Sequence, residues 1–165
     1  MTKAFEWQNA MEVVLAGVFR EPLGSNGFYV VALIAGLTVF FFGRVILGAL
    51  EKQSAGFFRT FFANLFFGFF GLLGAVLVQV YAGPLFKEEP QWLLFSSIAV
   101  GLLFLFLSVF LLGRSLLMSA RRPAVIACLL TFAIAAGAIA LGDAGYAAFS
   151  KGLENVEKTP DPLIE

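Results

Sequence analysis

Residues 61–82 read FFANLFFGFFGLLGAVLVQVYA, and they lie inside a window of 27 uncharged residues between Arg59 and Lys87. A helix rises about 1.5 Å per residue, so about 20 residues cross the roughly 30 Å hydrocarbon core of a bilayer. The window is long enough to do so. Lipid offers no hydrogen-bond partner to a backbone amide, so a run of this kind must be helical. A barrel strand would alternate polar and apolar residues, and this run does not.

Three further windows have the same character. Glu21 to Arg44 encloses 22 uncharged residues, Glu89 to Arg114 encloses 24, and Arg122 to Asp143 encloses 20. The predicted spans are 28–50, 61–82, 92–112 and 124–142. Local punctuation supports the boundaries. Ser25-Asn26 offers an N-cap before the first span. Pro90 and Pro123 fall at the first turns of spans three and four, where a missing N–H costs nothing. Gly83-Pro84 closes span two. Tyr29, Tyr81 and Trp92 fall where an interfacial aromatic belt belongs.

Composition excludes the main alternatives. Of 165 residues, 60% are hydrophobic, 21 are phenylalanine and only 13% are charged. A soluble domain carries about a quarter charged residues and leaves much of its surface wet. Disorder requires the opposite bias. Histidine is absent and Cys128 is the single cysteine, which removes the usual metal ligands and any internal disulfide, so no metal site and no cofactor is expected. Net charge is zero, so no nucleic-acid partner is expected.

The predicted fold is therefore an all-α integral membrane protein, four transmembrane helices in an antiparallel bundle, preceded by a short amphipathic helix. Residues 1–27 form the N-terminal interfacial segment, 28–142 the transmembrane domain and 143–165 a polar tail that ends in the disorder-prone Thr159-Pro160-Asp161-Pro162. The N-terminal run Ala10–Phe19 is broken by Glu12 and does not read as a secretory signal. Trp7, Met11, Val14 and Val18, widened by Phe5, Leu15 and Phe19, form one helical face. Such a helix lies in the membrane interface or packs on the mouth of the bundle.

Charge predicts orientation. Arg44, Lys52, Arg59, Arg114, Arg121 and Arg122 stand against one acid, Glu51, at one end of the bundle; the other side carries five basic and ten acidic residues. Basic loops stay in the cytoplasm. The expected location is a bacterial cytoplasmic membrane with loops 51–60 and 113–123 inside and both termini outside. Trp7, Trp92, Arg114, Arg121 and Arg122 are the expected membrane anchors.

Few residues within the spans suggest chemistry. Arg44 either snorkels to the headgroups or pairs with Asn64. Gln79 either clasps a neighbouring helix or lines a polar site with Thr38, Ser96 or Ser97. Thr131 and Ser108 are expected to bond their own helix carbonyls. Small residues recur: Gly68, Gly71 and Gly74 in span two, Ala133, Ala136, Gly137 and Ala140 in span four, and Ala32, Gly36 and Gly43 in span one. These stripes pack the bundle itself or form an oligomer seam. Span three, rich in Leu and Phe, is expected to face lipid or a partner. Gly43-Arg44 and Gly113-Arg114 make a faint internal echo at the ends of spans one and three.

No phosphate loop, paired acidic motif or nucleophile elbow appears. The sequence reads as a non-enzymatic membrane subunit, homo-oligomeric or accessory to a complex. The partners expected are the lipid bilayer, a second copy of the chain or other membrane subunits. A small oligomeric transporter or channel, and a lipid-modifying enzyme, are the alternatives.

Overall fold

A computed structural model describes residues 3–52, 56–86 and 90–157. They form five α-helices: α1 (Lys3–Phe19), α2 (Asn26–Leu50), α3 (Phe57–Ala82), α4 (Pro90–Leu116) and α5 (Arg121–Glu157). There is no strand among the described residues. Helices α2 to α5 are each long and apolar enough to cross a membrane, and their composition is compatible with an integral membrane protein.

The helix ends follow local chemistry. Ser25 caps α2, its Oγ accepting the Phe28 N–H at 3.0 Å. Ahead of it, Arg20 and Gly24 take positive φ values of 59° and 83°, which turn the chain out of α1. The Glu51 N–H closes α2 on the Leu47 carbonyl at 2.9 Å. A short 3-10 turn, Gly83–Leu85, follows α3 around Pro84. At the far end of α4, Arg59 reaches over from α3. Its Nε donates to the Leu116 carbonyl at 2.9 Å and its Nη2 to the Ser115 carbonyl at 2.8 Å. Two of the orphan carbonyls at that helix end are thereby satisfied by a cation, which also suits the helix dipole.

Three boundaries differ by four residues or more from the sequence reading, the first being the start of α3 at Phe57 rather than 61. α4 runs through Gly113-Arg114 and ends at Leu116, the reversal coming at Met118 with φ 51°. α5 does not stop at Gly142-Asp143 but continues to Glu157. Its 37 residues make a rod of roughly 55 Å, well beyond the hydrocarbon thickness. A charge marks where a helix leaves the apolar layer without breaking its hydrogen bonds, and Ala144, Ala147 and Ala148 propagate helix well. The predicted tail thus begins as helix, while Thr159-Pro160-Asp161-Pro162 lies outside the described residues.

The most extensive interfaces are α3 with α4 and α2 with α5. The largest core cluster draws on all four spans: Leu47, Ala63, Phe67, Leu105, Val109, Leu117, Ala124, Ala127 and Cys128. A second cluster joins Val31 and Ala35 of α2 to Ile139 of α5, with Phe19 of α1 against it. Elsewhere large apolar side chains point outward, among them Leu33, Phe58, Phe62, Phe95 and Leu111. In water a surface of this kind would aggregate; against acyl chains it costs nothing.

Helix α1 buries Ala10 and Val14 against Val76, flanked by Trp7, Leu72, Ala75 and Val80. Its docked face is therefore Trp7, Ala10 and Val14. Met11 and Val18, expected on that face, are about half exposed, and the Phe5 side chain lies outside the described set. The buried face is centred on Ala10 and Val14, the residues that meet Val76 and Ala75 of α3.

Candidate functional site

Three polar places interrupt the apolar packing. The first is at the crossing of α2, α3 and α5. Asn64 is buried, and a methyl placed on Gly43 would lie 2.6 Å from its Nδ2 and 3.6 Å from the γ-methyls of Thr60 and Thr131. The Asn64 Oδ1 has no hydrogen-bond partner. Thr131 turns its hydroxyl to the Ala127 carbonyl at 2.7 Å, as expected of a hydroxyl within a helix. Arg44 does not join this group. Its guanidinium folds over Gly48, one turn further toward the end of α2, and makes no hydrogen bond to Asn64.

The second place is a clasp between α3 and α4. The Gln79 Nε2 donates to Ser97 Oγ at 3.0 Å, and that hydroxyl donates to the Leu93 carbonyl at 2.8 Å. Thr38 and Ser108 turn to their own helices, bonding the Ile34 and Leu105 carbonyls, each at 2.8 Å. Gln79 thus engages one serine, and Thr38 stays out of its reach.

The third place is the α4–α5 turn. A hollow of about 630 Å³ is lined by Glu51, Arg114, Met118, Ser119, Ala120 and Arg121. The Glu51 carboxylate accepts from the Ser119 hydroxyl and from the Ala120 N–H, whose two contacts measure 3.1 and 3.3 Å. It therefore occupies the N-terminal end of α5, where orphan N–H groups and the helix dipole favour an anion. Arg121 lies over the Phe110 ring, 5.1 Å from its centroid. Arg122 is exposed beside it. Sequence reading counted Glu51 only as the one acid of the basic end and missed this cap. The available signal was its isolation among six cations.

The small residues divide into two sets. Gly68, Gly71 and Gly74 face inward. A methyl on Gly71 would sit 3.2 Å from Leu105 Cβ and 3.3 Å from the Gly101 carbonyl oxygen; one on Gly74 would sit 2.8 Å from Phe104, and one on Gly68 3.2 Å from Phe132. Gly101, on the helix expected to face lipid or a partner, makes the closest backbone approach, 2.9 Å from a methyl there to the Gly71 carbonyl oxygen. By contrast Gly36 and Gly137 have open space beyond them, and Ala133 is exposed. Within the chain, Gly36 and Gly137 meet no neighbouring helix closely, and the interior side of α5 is taken by Ala124, Ala127, Cys128, Thr131, Ala135 and Ile139.

Of the expected anchors, Trp92 is exposed, while Trp7 is half-buried with its ring edge-on to Tyr81 at 6.4 Å. Arg114, Arg121 and Arg122 crowd one end. Among the described residues no three His, Cys, Asp or Glu side chains converge as a metal site would require. Comparison with protein-family models, with curated proteins and with solved structures gives no match.

Proposed function

We propose that this protein is a non-enzymatic subunit of the membrane that assembles with a second copy of itself through the outer face of α5. The observation that carries this reading is the placement of Ala133 and Gly137 on the side of α5 opposite its buried residues, a side that Ala144 and Ala148 continue past Asp143; a methyl placed on Gly137 would meet nothing within 4 Å outside its own helix backbone. Small side chains fill lipid-facing space poorly, but they let another helix backbone approach closely. A face of this kind matches its own copy, as a two-fold interface demands.

Within the subunit the four spans run antiparallel. The pairing of Arg59 with Leu116, Gly71 with Leu105 and Gln79 with Ser97 supports this for α3 and α4. Helix α1 rests at the membrane surface on the end of α3, with Glu6, Gln8, Asn9 and Glu12 exposed. The six basic residues at the α4–α5 end face the cytoplasm of a bacterial cell, which leaves both termini outside.

Native mass spectrometry in a mild detergent tests the assembly. The expected species is a dimer, and a stable monomer refutes the reading. A second reading, an oligomeric channel or transporter, draws its support from the unpartnered carbonyl oxygen of Asn64. It requires that ion or solute flux through reconstituted protein fall in Asn64→Leu.

A further inference from the structure

The basic hollow at the α4–α5 turn is left unexplained by subunit assembly. Among the described residues no carboxylate pairs with Arg114, Arg121 or Arg122 within 4 Å. The nearby acid, Glu51, spends both carboxylate oxygens on Ser119 and Ala120. Arg121 is held by Phe110. Arg114 of α4 and Arg121 of α5 both line the hollow, so two guanidinium groups bound the same space. Two planar cations bounding one space fit a phosphate group, which each fork meets with parallel hydrogen bonds. The hollow is open to its surroundings and polar on its lining, as a headgroup site needs and an enclosed small-molecule pocket does not.

The surroundings choose the source of that phosphate. The hollow opens at the end of two apolar spans, α4 and α5, and the ends of membrane spans are where headgroups are met. From it Phe110, Phe106 and Leu107 run exposed along α4, the two rings stacked 6.1 Å apart. That track suits an acyl chain and has no use for a soluble anion.

We propose that this hollow binds the phosphate of an anionic phospholipid, gripped by Arg114 and Arg121, with a chain laid along Phe106 and Phe110. Basic pockets at the ends of membrane helices are suited to such headgroups, each cation adding to the attraction. Glu51 holds the turn in shape and sets an upper limit on affinity, because its charge faces the same space.

The test uses the full-length protein, delipidated in non-ionic detergent. Phosphatidylglycerol, phosphatidylcholine and inorganic phosphate are titrated separately, and bound adducts are counted by native mass spectrometry. Phosphatidylglycerol is expected to bind about tenfold more tightly than phosphatidylcholine. That preference should disappear in Arg114→Gln/Arg121→Gln and persist in Lys151→Gln, a change at the other end of α5. Glu51→Gln, whose amide oxygen still accepts from Ala120, should bind phosphatidylglycerol at least as tightly as the parent. Should the double variant fail to fold, the parent alone decides: added salt must weaken phosphatidylglycerol and leave phosphatidylcholine unchanged. Equal binding of the two lipids, or a preference kept in the folded double variant, overturns the site. Complete displacement of phosphatidylglycerol by millimolar inorganic phosphate overturns the assignment to lipid.

Discussion

Gly71 and Gly137 are the same residue near the middle of two strongly apolar helices, yet they stand in opposite surroundings. Gly71 lies where α3 and α4 cross with backbone almost on backbone, and Gly137 faces open space on the outside of α5. The contrast teaches that a small residue in a membrane helix marks a close approach without saying to what. At Gly71 the partner is in the same chain. At Gly137 the proposed partner is a second copy.

Substitution by leucine exploits the contrast most strongly. Gly71→Leu drives a side chain into Leu105 and the Gly101 carbonyl oxygen, and overpacking costs about 1–3 kcal/mol even where neighbours can move. Here one neighbour is backbone, so loss of folded yield in detergent is the expected result. Gly101→Leu should behave alike. An ordinary thermal unfolding curve for either would break the description of the α3–α4 crossing.

The next effect is smaller and belongs to the basic end. Glu51→Ala removes the acceptor for Ser119 and Ala120 at the start of α5, a loss comparable to deleting an N-cap, about 0.5–2 kcal/mol. Unfolding stability should fall by that amount, and Glu51→Gln should recover most of it. A silent Glu51→Ala would mean the carboxylate is solvated and caps nothing.

Gly137→Leu supplies the other half of the comparison. The monomer's stability should hold within about 0.5 kcal/mol, as for changes away from packed sites, while self-association weakens. Unfolding of detergent-separated monomers measures the first, and analytical ultracentrifugation the second. A collapse of the monomer would place Gly137 in the interior after all.

The smallest effect concerns Arg44 and Asn64. Since the guanidinium lies over Gly48 and the amide over Gly43, the two should act independently. A double-mutant cycle of Arg44→Lys with Asn64→Leu should give coupling below about 0.3 kcal/mol. Asn64→Leu alone should cost little, because it removes a buried oxygen that has no partner. Larger coupling would return the pair to the status of a site.

The spans were legible because a bilayer imposes a length and forbids unpaired backbone, and both constraints appear directly as uncharged windows. Ser25, Pro90 and the Gly83-Pro84 pair were legible because capping chemistry is local. The ends of α4 and α5 were not, since a charge at Arg114 or Asp143 is tolerated within a helix that extends into water. Inward and outward faces were equally hidden. In a soluble helix polarity reveals the buried side, but here Leu, Phe, Ala and Gly serve both sides, so Gly36, Ala133 and Gly137 looked like Gly68, Gly71 and Gly74. At the polar places, Gln79 was recognisable as a clasp because an amide in lipid needs a partner. Glu51 was obscured because its target, the Ala120 amide, carries no side-chain signature and lies 69 residues away.

The most direct test of assembly through α5 is disulfide crosslinking in native membranes. The native thiol, buried in the core, is first removed by Cys128→Ser. Cysteine is then placed either by Gly137→Cys on the outer face of α5 or by Leu103→Cys on the exposed side of α4. Mild oxidation should join Gly137→Cys into a dimer and leave Leu103→Cys a monomer. Crosslinking of Leu103→Cys alone, or of neither, would contradict the account.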